Sequence, residues 1–115
     1  MEQLNRVELR GIVGSSRITE HSGRRVNRFS VATSRAYRDP LGNPKIDTTW
    51  HNVNAWEGRG MPQLELIQKG SKVEVQGRIR NTRFQMEDGI DRFSSEIQAI
   101  RVSLIGSDVT LSDEM

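Results

Sequence analysis

Cysteine is absent from this chain, and no stretch approaches the run of about 20 apolar residues that a membrane-spanning helix needs. The missing thiols exclude a disulfide frame, a thiolate nucleophile and cysteine metal ligands. No secretory leader is recognised in the sequence, so a soluble protein of a reducing compartment is expected, with the cytoplasm as the default. Histidine occurs only as His21 and His51, which gives no metal-ligand spacing. Glu87, Asp88 and Asp91 cluster at a turn with no His or Cys beside them, and the serines and glycines form neither a nucleophile elbow nor a phosphate loop. No catalytic residue, metal site or cofactor is expected, and the chain does not read as an enzyme. Aromatic residues are also scarce, six rings in 115 residues, so where they stand is informative.

Charge is present in both signs but is unevenly spread. Residues 1–45 carry nine Lys/Arg against four Asp/Glu, net +5, while residues 46–115 carry eight against eleven, net −3. Arginine supplies 14 of the 17 basic residues, and its planar fork pairs with phosphate and stacks on bases. The bland alternative is a solvated Arg-rich surface. The aromatic residues bear on that choice.

Both tryptophans fall in Thr48-Thr-Trp-His-Asn-Val-Asn-Ala-Trp56. As a strand, this stretch puts Thr48, Trp50, Asn52, Asn54 and Trp56 on one face, and Thr49, His51, Val53 and Ala55 on the other. Val53 and Ala55 then point into a core, and the two rings stand on a polar face, roughly 20 Å apart at about 3.3 Å per residue. A helix, a loop or a second subunit could cover such rings. Left wet, they suit a flat, stackable partner such as a nucleobase.

The length implies one domain, residues 1–105, followed by a polar tail, 106–115, expected to fray. Asn5 to Gly14 reads as a strand, with Gly11 marking a bulge or a close backbone approach. Residues 15–25 read as a polar connection with a Ser22-Gly23 turn. A second strand places Phe29, Val31 and Thr33 on one face and Arg28, Ser30 and Ala32 on the other. Ser34 to Ile46 reads as a loop with three turn-forming dipeptides, a basic, mobile arm bearing Arg35, Tyr37, Arg38 and Lys45. A short helix is expected over Pro62–Lys69, with Leu64, Ile67 and Leu66 as its buried stripe and Gly70 as its stop. From Ser71 period two returns, with Val73, Val75 and Ile79 inward and Arg78 and Arg80 outward; Gly77 predicts a bulge or sharp bend. The outward parity continues to Phe84 before the Asp88-Gly89 turn. Arg92 to Leu104 is a last strand, with a bulge near Gln98 or Ala99.

Five strands with one short helix between the third and fourth give an all-β chain in the order of an OB-fold barrel. Over residues 5 to 104 the chain resembles the bacterial single-stranded DNA-binding protein (SSB) family. The stretches that carry the resemblance are Asn5-Arg6-Val7-x-Leu9-x-Gly11, Phe29 to Ser34, Thr49-Trp50-His51-x-Val53, and Lys69-Gly70-Ser71-x-Val73-x-Val75-x-Gly77-x-Ile79-Arg80. The resemblance implies base stacking on Trp50, Trp56, Phe84 and Tyr37, of which parity alone reaches the first three. It also implies homotetramers wrapped by single-stranded DNA in replication, recombination and repair, and so a nucleoid-associated protein; a dimer is kept as the alternative assembly. Candidate phosphate contacts are Arg6, Arg10, Arg28, Arg35, Arg38, Lys45, Lys69, Arg78, Arg80 and Arg83. Most family members continue into a tail with an acidic, aromatic-ended tip that recruits replication and repair enzymes. This chain stops at Ser112-Asp113-Glu114-Met115, which leaves recruitment of replication and repair proteins as an open expectation. The rival readings are an OB-fold adaptor of primosome or plasmid type that mainly binds protein, and an RNA-binding OB-fold.

Overall fold

The computed structural model describes residues 1–106, so the expectation of a frayed tail falls largely outside the described residues. Five strands, β1 (Val7–His21), β2 (Arg24–Arg38), β3 (Pro44–Trp56), β4 (Lys72–Gln85) and β5 (Asp91–Leu104), close into a barrel in the order β1-β2-β3-β5-β4. Antiparallel ladders make every contact but one. The barrel is closed by a short parallel pairing of β3 with β5, Val53 to Ile97 and Asn54 to Gln98.

Inward positions on all five strands supply the core. Val13, Phe29, Val31, Val53, Ala55, Val73, Val75, Ile97 and Val102 are buried there with Leu64 and Ile67. Each such aliphatic side chain contributes about 1.5 to 3 kcal/mol by leaving water, so the alternation in β2, β3 and β4 is enough to hold the sheet with this face inward.

The strands are longer than the sequence pattern implies. The residues read as a connection after Gly14 extend β1 to His21, and only Ser22 and Gly23, both at positive φ, form the turn. Likewise the expected mobile arm is an ordered ribbon: β2 and β3 pair from Val26 with Trp56 out to Arg38 with Pro44. Only its tip turns, where the Asp39 carboxylate accepts hydrogen bonds from the backbone N–H of Leu41 (3.0 Å) and Asn43 (2.8 Å). The β2–β3 ribbon is solvated on both faces beyond Ser34, and in the β1–β2 ribbon the neighbours Val26 and Asn27, on opposite faces, are both buried. Both ribbons therefore lack the apolar alternation by which a strand is recognised.

The predicted helix contracts to a single 3-10 turn, Leu64–Leu66. Ile67 already has extended dihedrals, and Gly58, Gly60 and Gly70 at positive φ bound the segment on both sides. Two backbone hydrogen bonds close the turn, Leu66 N–H to the Gln63 carbonyl (2.9 Å) and Ile67 N–H to that of Leu64 (3.1 Å), and a buried side chain braces it: Asn27 Nδ2 donates to the carbonyls of Leu64 (3.0 Å) and Ile67 (3.2 Å). Leu64 and Ile67 cap the barrel as expected, whereas Leu66 is exposed.

Two irregularities set the register. Gly14 is the extra residue of a bulge between Val13 and Ser15. Gly11 is instead the close approach, since a Cβ there would collide with the carbonyl oxygen of Ala32. On the other side of the barrel the ladder jumps from Gln76–Arg101 to Gly77–Ala99, which leaves Ile100 unpaired and turned outward. The bulge lies one residue beyond the expected position and belongs to β5, so the alternation of β4 passes Gly77 unbroken. Ile79 keeps its inward parity but is half exposed, because the ladder of β4 to β1 ends at Gly77 and no strand covers that side.

Candidate nucleic-acid interface

Val53 and Ala55 are buried, and the opposite face of β3 carries Trp50, Asn52, Asn54 and Trp56, as the parity requires. Trp50 is 60% exposed. Its ring lies over Gly14, where any Cβ would fall within 3.0 Å of ring carbons. The bulge thus presents a backbone with no side chain as the seat of the ring.

Trp56 is half buried. Its cross-strand partner Val26 is fully buried yet lies outside the core cluster, so the ring covers an apolar residue on the outer face. The Arg24 guanidinium carbon stands 5.2 Å from the centroid of that ring, and the His21 ring is 6.2 Å away and tilted by 60°. Arg24 was not among the expected contacts. The Arg24-Arg25 pair was visible, but which of the two would share the tryptophan face depends on a hairpin register the sequence did not reveal.

A polar row crosses all five strands between the tryptophans. Cross-strand partners run Arg17 to Arg28, Arg28 to Asn54, Asn54 to Gln98, and Gln98 to Arg78. Arg80 and Phe84 continue that face along β4 opposite Glu96 and Arg92, and Phe84 is 47% exposed. Arg17 was also missed, because its segment did not read as a strand.

Other candidates are differently placed. Tyr37 pairs with Lys45 on the face of the β2–β3 ribbon opposite to Trp50, with the Arg35 guanidinium 5.6 Å from its ring centroid. Arg38 Nη1 donates to the carbonyl of Gly42 at the ribbon tip (2.7 Å). Arg10 donates to Glu74 through Nη2 (2.8 Å) and Nε (3.2 Å), so its charge is already matched. Arg6 and Arg83 face Glu8 and Asp91 in longer pairs of 4.0 and 3.8 Å. Lys69 lies at the turn before β4, away from the row. His51 shares a 2.8 Å hydrogen bond with Thr33, in keeping with a structural histidine.

Arg25 points the other way from Arg24 and clamps the segment after β3. Its backbone N–H and Nε donate to Glu57 (3.0 and 3.2 Å), and its guanidinium pairs with Glu65. The hydrogen bonds from Arg25 hold both carboxyl groups below their usual pKa, and the two carboxylates raise that of the guanidinium.

A closed five-stranded barrel that presents exposed rings and arginines on one outer face defines an oligonucleotide-binding barrel. The model of the single-strand binding protein family matches residues 4–105, and the chain belongs to that family. It is 31% identical over 105 residues to the single-stranded DNA-binding protein of Xanthomonas campestris pv. campestris, an alignment covering 90% of this chain and 61% of the relative. With the protein of that name from Neisseria meningitidis serogroup A the identity is 32%, covering 90% and 60%. The chain thus spans about 60% of the length of the curated relatives it matches. Among solved structures, the Plasmodium falciparum SSB complex with ssDNA superposes with a TM-score of 0.74 at 28% identity, covering 91% of this chain and 96% of that one. A deletion mutant of the Thermus aquaticus single-stranded DNA-binding protein has the same fold, with a TM-score of 0.74 at 21% identity over 91% of this chain and 52% of that one.

Proposed function

We propose that this chain binds and protects single-stranded DNA during replication, recombination and repair. Bases stack on Trp50, Trp56 and Phe84, and Arg17, Arg28, Arg78 and Arg80 meet the phosphates between them. Tyr37 with Arg35 on the far face of the ribbon serves a strand that wraps around the edge. The observation that carries this reading is the exposure of Trp50 on a face that also bears four arginines with no carboxylate within ion-pair distance among the described residues. Stacking tolerates any base, so this mode favours single strands over duplexes and is indifferent to most of the sequence.

The same reading includes self-association, to a homotetramer or at least a dimer. In support, the first third of β1, Val7–Gly11, pairs with β4 on one side only, because its ladder to β2 starts at Ile12. An open strand edge of this kind is a template for a second copy. Titration with oligo-dT, duplex DNA and oligo-U, read by tryptophan quenching, tests the ligand, and light scattering tests the assembly. Quenching by oligo-dT that duplex DNA does not reproduce is the expected result. Equal response to duplex, or no quenching at all, would reject the reading, and a stronger response to oligo-U would transfer it to RNA.

A further inference from the structure

The outer face of β3 is hollow between its two tryptophans. Ser15, Arg28, Ser30, Asn52, Asn54 and Glu96 line a concavity of about 210 Å³ there. The two serines satisfy each other, with hydroxyls 3.0 Å apart and the Ser15 N–H donating to Ser30 Oγ (3.1 Å). The other polar side chains are uncommitted. Asn54 is only 8% exposed, yet its amide makes no hydrogen bond to another described residue, and its atoms are not among those sealed from solvent. The amide therefore opens into the hollow. Arg28 and Glu96, of opposite charge and lining the same hollow, form no ion pair with each other or with any other described residue. A buried amide and two free charges held in one concavity are a set of hydrogen-bonding groups without a partner.

We infer that this hollow reads the edge of one nucleobase and favours guanine. The inference rests on the single-strand reading above and adds a base preference to it. The hollow is smaller than a site that encloses a whole ligand, but an edge needs only a shallow recess. Trp50 and Trp56, two residues to either side of Asn52 and Asn54, hold neighbouring bases. The Watson–Crick edge, free in a single strand, is what such groups can read.

Guanine offers N1–H and the N2 amino group side by side, with O6 next to them. A carboxylate accepts that pair of N–H groups as it accepts the fork of arginine. Glu96 supplies the carboxylate, and the Asn54 amide donates to O6. Thymine presents a single N–H between two carbonyl oxygens, which repel a carboxylate. Adenine and cytosine each present one amino group beside a bare ring nitrogen. Only guanine meets Glu96 with adjacent donors.

The test uses strands of about eight nucleotides, within the span of one barrel. Oligo-dT is compared with the same strand carrying one dG, dI or dA at successive positions, against the wild type and Glu96→Gln. One dG position should tighten binding by about fivefold or more. Inosine, which lacks the 2-amino group, should recover part of that gain and dA none. Glu96→Gln should abolish the difference between dG and dT and raise oligo-dT affinity, because a carboxylate that repels thymine carbonyls and phosphates is gone. Equal affinity of the wild type for every strand overturns the inference while leaving the functional reading intact. So does a gain for dA equal to that for dG, which would be purine stacking, or a dG preference that survives Glu96→Gln. If that variant does not fold, the wild-type series with dG, dI and dA decides alone. Failure to bind any strand overturns the functional reading itself and this inference with it.

Discussion

The ring of Trp50 occupies the space that a side chain on Gly14 would fill: a Cβ on that glycine would lie within 3.0 Å of ring carbons. Gly14 is also the unpaired residue of the β1 bulge, so one position bends the strand and seats the platform. The glycine is not at positive φ, which leaves sterics as the only objection to alanine. The ring is exposed and can swing aside. Gly14→Ala should therefore melt close to the wild type but bind oligo-dT several-fold more weakly, with altered tryptophan emission. Unchanged affinity would show that the seated orientation of Trp50 is not the binding one.

The tryptophans should differ on replacement. On the proposed reading each ring stacks on a base, which is worth about 1 to 3 kcal/mol, so Trp50→Ala and Trp56→Ala should both weaken binding. Trp50→Ala should hardly change melting, whereas Trp56→Ala uncovers Val26 and should lower it. Val53→Ala leaves a small cavity costing about 1 to 3 kcal/mol and should leave the affinity of the folded fraction unchanged. Phe84→Ala should resemble Trp50→Ala, because the bulge at Ile100 leaves that side chain facing out. Melting curves and titrations on the same variants check all four. A Trp50→Ala protein that melts far below the wild type and binds normally would place that ring in an interface between subunits.

What could be read from the sequence was what the barrel core enforces. The parity of Val53 against Trp50 was legible because one face of β3 must be apolar. The β1 and β2 residues on either side of Ser22-Gly23, and the ribbon from Ser34 to Ile46, were not, because the ribbon is solvated on both faces and the hairpin buries the neighbours Val26 and Asn27 together, so neither shows a clean alternation. The helix failed for another reason. Leu64 and Ile67 are spaced for a helix, but the amide of Asn27, 37 and 40 residues away in sequence, binds their carbonyls in a tighter turn. Arg10 looked like a free cation because Glu74, its partner across β1 and β4, is 64 residues distant.

That last pair makes a contrast in salt dependence. On single strands log affinity falls with log salt by roughly 0.7 per phosphate contacted. Arg28→Ala and Arg78→Ala remove unpaired cations from the row between the tryptophans, and each should flatten the slope by about that amount. Arg10→Ala removes a cation already neutralised by Glu74 and should leave the slope unchanged. Titrations at a series of salt concentrations separate the cases. A slope altered by Arg10→Ala but not by Arg28→Ala would put the DNA path over β1 and β4 instead.

Acid should loosen the segment after β3, and the direction follows from the Arg25 clamp. Glu57 and Glu65 have pKa values below the usual 4.5, Glu57 chiefly through the backbone N–H of Arg25 and Glu65 through its guanidinium. A carboxylate held lower in the folded state than in the unfolded one stabilises the fold fully above 4.5 and progressively loses that contribution as pH falls through its folded value. The raised pKa of Arg25 gives no opposing trend, since that group stays charged throughout. These groups lie at the surface, so the contribution is modest and salt-screened. Melting temperature should accordingly be insensitive to the clamp across the neutral range and decline below 4.5. Glu57→Gln imitates the protonated carboxyl. It should melt lower than the wild type at neutral pH, and the two curves should converge as acid protonates Glu57 in the wild type. A gap that stays constant down to about pH 3 would mean that the charge of Glu57 contributes nothing to the clamp.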